Sequence, residues 1–434
     1  MDLSSKLPLH IEVVQKNESR TSKENIKAIV HSYLSNFVEL IPGESLTEND
    51  FEKESELRAH VEAITVCDVE HEGKVRLEGD PVYHVYRLDS RGAETDTMTD
   101  ATTGEEFAAA EVWPLPARDF HGLWESLVFD SRLKQETVRL VETAFEFAER
   151  GVDPHLVGWN RVVLLHGPPG TGKTSLCRAL AHKLAVRCSD RYPRARLLEI
   201  NAHGLFSKWF AESGKLVARL FERVHETVAD RRLLCIVLVD EVESLAHARR
   251  AALAGLEPSD SIRAVNALLT QLDRLRRHPN ALVLATSNVT GAIDAAFADR
   301  ADIKRRVPPP SARAAYEILR GCCTELEARF VLAAGSAPRL LPWRVLEASD
   351  WAAGEGARTS LALRAASLEA AGAALSGRAL RRLPLLARAL APRSHTLATF
   401  VPALHAALRR HLADADDLSF NGNQGLMMEL EGGH

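Results

Sequence analysis

Strand-like runs alternating with helical stretches through the middle of the chain predict an α/β fold, a parallel sheet covered by helices. Three observations carry that expectation. Short apolar segments recur at Val162–Leu165, Leu197–Ile200, Leu234–Val239 and Leu282–Ala285, with helix-patterned sequence between them. After Pro308-Pro309-Pro310 the chain turns Ala-, Leu- and Arg-rich with apolar residues three and four apart, which predicts a helical subdomain. Ahead of both, strand and helix patterns mix, which predicts a small separate α/β domain.

Taken in order, His10–Val14 alternates, Ile26–Phe37 has helical spacing and Val82–Leu88 is rich in strand formers, so residues 1–92 read as the N-terminal domain. Between Arg91 and Arg118 lie six acidic residues and no basic one. Low hydrophobicity with one-signed charge predicts an acidic linker over 93–110, an acidic surface loop being the other reading. Residues 111–310 then form the large α/β subdomain and 311–413 the helical one. The last stretch, 414–434, is Gly- and Asn-containing and is expected to fray.

Composition narrows the class. The 434 residues are 46% hydrophobic and 26% charged, which suits two or three globular domains. A net charge of -5 argues against bulk attraction to nucleic acid or an anionic membrane. The longest apolar run, Leu233–Val239, is far short of the ~18 residues that read as a membrane span. The first residues lack the basic-then-apolar pattern of a secretory leader. Six cysteines without a CxxC give neither a disulfide scaffold nor a zinc ribbon. A soluble intracellular protein is expected.

Residues Gly167-Pro168-Pro169-Gly170-Thr171-Gly172-Lys173-Thr174 match GxxxxGK[ST] after a strand and before a helix, the context a phosphate-binding loop requires. Its glycines let backbone N–H groups turn toward phosphate oxygens, and the helix N-terminus favours negative charge. Lys173 is expected to reach the β- and γ-phosphates of ATP, and the Thr174 hydroxyl to ligate Mg²⁺. The strand LLCIVLVDE ends in Asp240 and Glu241. Asp240 is assigned to Mg²⁺ and Glu241 to polarising the attacking water; a helix cap is the plainer reading of Glu241. Asn288 closes the strand ALVLATSN, where it would reach the γ-phosphate or the same water, unless it is simply a turn residue. In AFADRADIKRR, Arg300 or Arg305, beside Lys304 and Arg306, would act on a neighbouring subunit's γ-phosphate, and Arg378 in LSGR would sense the nucleotide; solvated surface charge is the alternative for each.

The order of these parts resembles that of AAA+ ATPases. Between the second strand and the Asp-Glu strand stands Ser207-Lys208-Trp209-Phe210-Ala211-Glu212. In AAA+ protein remodellers an aromatic here lines a ring pore, so Lys208, Trp209 and Phe210 are candidates for gripping a polypeptide; core packing is the other reading of Trp209. The segments WPLPARDFHGLWESLVFD, FSKWFAESGKLV, VLVDEVESL, EPSDSIRAVNALLTQLD, FADRADIK and LSGRALRRLP resemble the pachytene checkpoint protein 2 family over roughly Glu111 to His395. That resemblance implies a homohexameric ATPase, with ATP and Mg²⁺, that remodels HORMA-domain proteins presented by a HORMA-fold adaptor, the N-terminal domain docking them. It implies roles in spindle-checkpoint control and meiotic recombination, in nucleus and cytoplasm and at chromosomes. Direct nucleic-acid or membrane binding is not expected. The rival is an AAA+ clamp loader or helicase acting on DNA, against which the net acidity and the Trp-Phe pair weigh.

Overall fold

The structure, a computed structural model, describes residues 9–431 except 38, 42, 44, 52–53, 68–74, 78–79, 100–105, 154–155, 203–212, 245–259, 290–292, 334–338, 352–356 and 394. The chain divides into two compact units, Met1–Glu125 with Leu133–His166 and Lys173–Arg306, and Ser126–Arg132 with Gly167–Gly172 and Val307–His434.

The first unit holds two sheets. The smaller contains β1 (His10–Gln15), β2 (Ser45–Thr47), β3 (Val61–Cys67) and β4 (Val82–Tyr86), in the order β2-β3-β1-β4. Helix α1 (Lys23–Leu34) covers it with Ile26, Val30 and Leu34, spaced four apart so that they share one face. The Ser22 side chain caps α1 by accepting the Asn25 N–H at 3.3 Å. The short α2 (Ser55–His60) adds Leu57 to the same core, with Ile11, Val13, Ile64 and Val66.

The larger sheet has seven strands. Five are parallel: β7 (Val162–His166), β8 (Arg194–Asn201), β9 (Leu233–Asp240), β10 (Ala281–Ser287) and β11 (Ile303–Arg306). Two more, β5 (Glu94–Thr99) and β6 (Glu106–Leu115), add an antiparallel hairpin at the β8 edge, giving the order β11-β7-β10-β9-β8-β6-β5. The expected linker over 93–110 is therefore corrected. Thr95, Thr97 and Thr99 alternate as a strand requires, and pairing β6 on β8 offers their backbone a ladder that charge counting does not register.

Beyond α3 (Leu123–Ser126), α4 (Leu133–Glu149) buries Leu133, Val138, Val141 and Phe145. Helix α5 (Lys173–Arg187) is buried on nearly every side, as expected of a helix packed between layers: it meets β8, β9 and β10 and also β4 of the smaller sheet. Leu176, Leu180 and Leu184 are fully buried, each worth about 1.5–3 kcal/mol in transfer free energy. Helices α6 (Ser213–Ala229) and α7 (Asp260–Leu275) supply Val217, Phe221, Val224 and Val265, Leu268, Leu272 to the sheet's core. The short α8 (Ala295–Arg300) is capped by Asp294, which accepts the Ala296 and Phe297 N–H groups.

The second unit is helical: α9 (Ala312–Ala328), α10 (Trp343–Ala348), α11 (Ala357–Gly372), α12 (Gly377–Leu390) and α13 (Leu397–Glu431) pack around Tyr316, Leu319, Leu363, Leu383, Phe400 and Leu404. Of the tail expected to fray, residues 414–431 are instead continuous with α13, since an established helix adds residues without a new nucleation cost. Among the described residues no helix is long and apolar enough to cross a membrane.

Candidate active site

Numbered from β7 alone, the parallel strands run 5-1-4-3-2, so the chain leaves β7 toward β8 past two intervening strands. Such a reversal opens a crevice at the carboxyl ends of the strands, where α/β sheets bind ligands. Register places the end of β10 there: Ser287 lies opposite His166, the last residue before the glycine loop, and Asn288 follows. Asn201 pairs with Asp240 at the ends of β8 and β9.

In the first unit, the Thr174 hydroxyl lies 3.0 and 3.2 Å from the two Asp240 carboxylate oxygens. Lys173 is buried at the start of α5. Glu241 adopts φ +62°, a left-handed conformation unusual for a residue with a side chain, and its N–H reaches the Thr286 hydroxyl at 3.3 Å. Thr286 in turn donates its hydroxyl hydrogen to Asp240. A hydroxyl and a carboxylate converging in this way form an all-oxygen donor set, which fits a hard divalent cation such as Mg²⁺.

In the second unit, Gly167 and Gly170 have φ +144° and +74°. A Cβ at Gly167 would collide with the Val307 carbonyl oxygen, and one at Gly170 would lie 2.8 Å from the Ser376 hydroxyl and 3.3 Å from the Arg378 Cβ. The Arg378 backbone N–H donates to the Gly170 carbonyl at 3.1 Å. The loop is thus glycine by necessity, and the segment predicted to sense nucleotide abuts it. Ser376 also caps α12, accepting the Ala379 N–H.

Arg300 forms a two-pronged pair with Asp273 at 2.9 and 2.8 Å and donates to the Ala296 carbonyl at 2.7 Å. The Asp273 carboxylate holds the Arg300 guanidinium above its ordinary pKa. Arg305 has a looser contact, 3.7 Å to Glu136. Lys208, Trp209 and Phe210 lie outside the described residues.

Sequence reading passed over two features. Thr286 is a hydroxyl that directly follows the apolar run ALVLA of its strand. Lys183 is a cation in the apolar part of α5, and it is 1% exposed. Glu12, Cys67 and Glu125 surround it in a grouping that has the composition of a metal site. The Lys183 ammonium takes the cation's place, 2.8 Å from a Glu12 oxygen, 3.2 Å from the Cys67 sulfur and 3.5 Å from Glu125. Burial pushes the Cys67 thiol up to about 12, so it is a neutral thiol and a poor metal ligand.

Known proteins resemble the chain along nearly its whole length. Family models match for the TRIP13 N-terminal domain over residues 4–91, the ATPase family associated with various cellular activities (AAA) over 163–309, and the TRIP13-like AAA+ ATPase lid C-terminal domain over 311–412. The pachytene checkpoint protein 2 homolog of Xenopus tropicalis is 43% identical, covering 96% of this chain and 96% of its own. That of Arabidopsis thaliana is 43% identical, covering 94% and 89%. The solved structure of C. elegans PCH-2 superposes with a TM-score of 0.77 at 31% identity, covering 94% of this chain and 99% of that one.

Proposed function

The chain belongs to the pachytene checkpoint protein 2 family of AAA+ ATPases, and from that premise we propose that it works as a homohexamer that remodels HORMA-domain proteins. It is an ATP-hydrolysing enzyme. The catalytic reading rests on one observation above all, the approach of the Thr174 hydroxyl to the Asp240 carboxylate beside the anchored Glu241.

Lys173 holds the β- and γ-phosphates as a point charge, and the glycine loop offers its N–H groups to the same oxygens. Thr174 and Asp240 hold Mg²⁺, which neutralises charge on the phosphate oxygens when bound. Glu241 orients a water and polarises it for attack, and Asn288 steadies the water or the γ-phosphate. An arginine, Arg300 or Arg305, reaches a neighbouring subunit's γ-phosphate, where a guanidinium favours the spreading charge of the transition state. Arg378, beside Gly170, reports nucleotide occupancy to the helical unit. Lys208, Trp209 and Phe210 grip the polypeptide in the pore while the N-terminal domain docks the HORMA protein or its adaptor. Spindle-checkpoint and meiotic roles, and action in nucleus and cytoplasm, follow from those substrates.

The test measures ATPase rate and HORMA conversion between belt-closed and belt-open forms, with a HORMA protein and adaptor in one arm and DNA in the other. Stimulation and conversion in the first arm alone support the reading. Stimulation by DNA alone overturns it in favour of a DNA-directed machine.

A further inference from the structure

Thr286 ties three consecutive residues of the reaction loop to one point in the sheet. Its hydroxyl donates to Asp240, the same oxygen accepts the Glu241 N–H at 3.3 Å, and its carbonyl accepts the Val242 N–H at 2.9 Å. A hydroxyl has one hydrogen to give and two lone pairs to offer, so donating to the carboxylate while accepting from the amide is within its capacity. The residue is 2% exposed on β10, with Leu165 of β7 opposite it on one side. On the other side the register that pairs Ala285 with Val239 carries Thr286 to Asp240.

We propose that Thr286 is a positioning residue for ATP hydrolysis, orienting the metal-holding carboxylate of Asp240 and the backbone of Glu241 together. The proposal rests on the reading of Asp240 and Glu241 given above. Glu241 is held at φ +62°, where a residue with a side chain stays only when its surroundings fix it, and the Thr286 hydroxyl supplies an acceptor for its N–H. Among the described residues two hydroxyls meet Asp240, those of Thr174 and Thr286. Thr174 is itself assigned to Mg²⁺, which leaves Thr286 as the hydroxyl available to orient the carboxylate. Partners behind a metal ligand set its direction and basicity, and their loss typically costs 10–100-fold in metal affinity or activity, on the order of one to two powers of ten.

Thr286→Val keeps the shape and removes the hydroxyl; Thr286→Ser keeps the hydroxyl and trims the methyl. Both are compared in the full chain with Glu241→Gln. The readouts are kcat and KM for ATP, and binding of a fluorescent ATP analogue titrated with Mg²⁺ and in EDTA. Thr286→Val is expected to lower kcat about 10–100-fold, to raise the Mg²⁺ concentration needed for half-maximal tight binding, and to leave affinity in EDTA unchanged. Thr286→Ser should stay close to the parent in all three. Parental kcat and Mg²⁺ requirement in Thr286→Val overturn the proposal. So does a Thr286→Ser defect equal to that of Thr286→Val, which assigns the position to packing. If Thr286→Val does not fold, Thr286→Ala takes its place in the same comparison. Parental hydrolysis by Glu241→Gln is a different failure: it removes the site reading itself, and the Thr286 proposal with it.

Discussion

The Lys183 ammonium lies 2.7 and 2.8 Å from the two carboxylate oxygens of Glu12, with side chains only 2% and 7% exposed. The contact joins the helix that begins with the phosphate-binding lysine to the central strand pair of the N-terminal sheet. Both groups stay charged in the interior because each has the other; burial alone would neutralise them.

Removing one member should therefore be costly. Lys183→Met is expected to destabilise by about 3–5 kcal/mol, since the buried Glu12 carboxyl loses the ammonium that compensates its charge and Arg187 stands off at 3.9 Å. Changing both, Glu12→Leu with Lys183→Met, should recover most of the loss, because well-packed apolar groups replace a buried pair at little net cost. Thermal unfolding of the parent, Lys183→Met and the double variant decides this. A double variant as unstable as the single one would show that charge matching is not what the seam needs.

Acid should loosen the same seam. His10 and His182 are lowered to about 3 from the ordinary 6.5, burial being the main cause and Arg187 adding to it at His10. The unfolded chain takes up protons below pH 6.5 that the folded histidines refuse, so stability declines from there toward pH 3. Burial pushes the Glu12 carboxyl up, but Lys183 and Arg187 more than reverse this and leave it at about 2. Its contribution is intact above its ordinary 4.5 and is lost as pH falls from there toward 2. His182→Gln should flatten the stability slope between pH 6.5 and 3 by up to about 1.4 kcal/mol per pH unit. An unchanged slope would mean that His182 is not held neutral.

Glu241→Gln should keep ATP bound and stop turnover, because the carboxamide leaves phosphate and metal contacts intact but cannot polarise water as a carboxylate does. Lys173→Ala should instead weaken binding itself. Nucleotide titration and phosphate release on one preparation separate the two effects.

Arg300→Ala is expected to leave nucleotide affinity near normal and to lower kcat by ~10³–10⁵ if Arg300 acts across subunits. Mixed with Lys173→Ala protein it should regain part of the activity, since an intact arginine then faces an intact loop. Arg300 is already paired with Asp273 within its own chain, so Arg305→Ala is the necessary companion. The larger defect identifies the arginine that crosses.

Trp209→Ala with Phe210→Ala should spare basal ATPase and abolish HORMA conversion. The change removes two large side chains suited to holding varied residues by contact area, and leaves Lys173, Asp240 and Glu241 untouched. Normal conversion by a soluble hexamer of this double variant would remove the pore-grip assignment.

What the sequence made legible was what lies close together in it. The eight residues of the glycine loop and the adjacent Asp240-Glu241 pair announce their chemistry because strand, turn and helix follow in one run. Long-range partners were not legible. Lys183 looks like a misplaced charge until Glu12, 171 positions away, comes to meet it. Thr286 looks like a strand filler until β10 is laid beside β9. The acidic stretch from Glu94 was misread for the same reason: whether such residues form strands depends on β8 offering an edge, which local charge does not encode.

That hairpin sets where the chain can be cut. An ATPase fragment starting at Glu111, where charge counting ends the linker, would lose β5 and half of β6. Val112 and Trp113 would remain on a bare five-residue edge strand, an open template for other chains. A fragment starting at residue 93 keeps the hairpin but still uncovers Lys183 on a surface built to be dry. Neither start leaves that surface covered, so the N-terminal segment is as much a lining for the motor as an appendage to it.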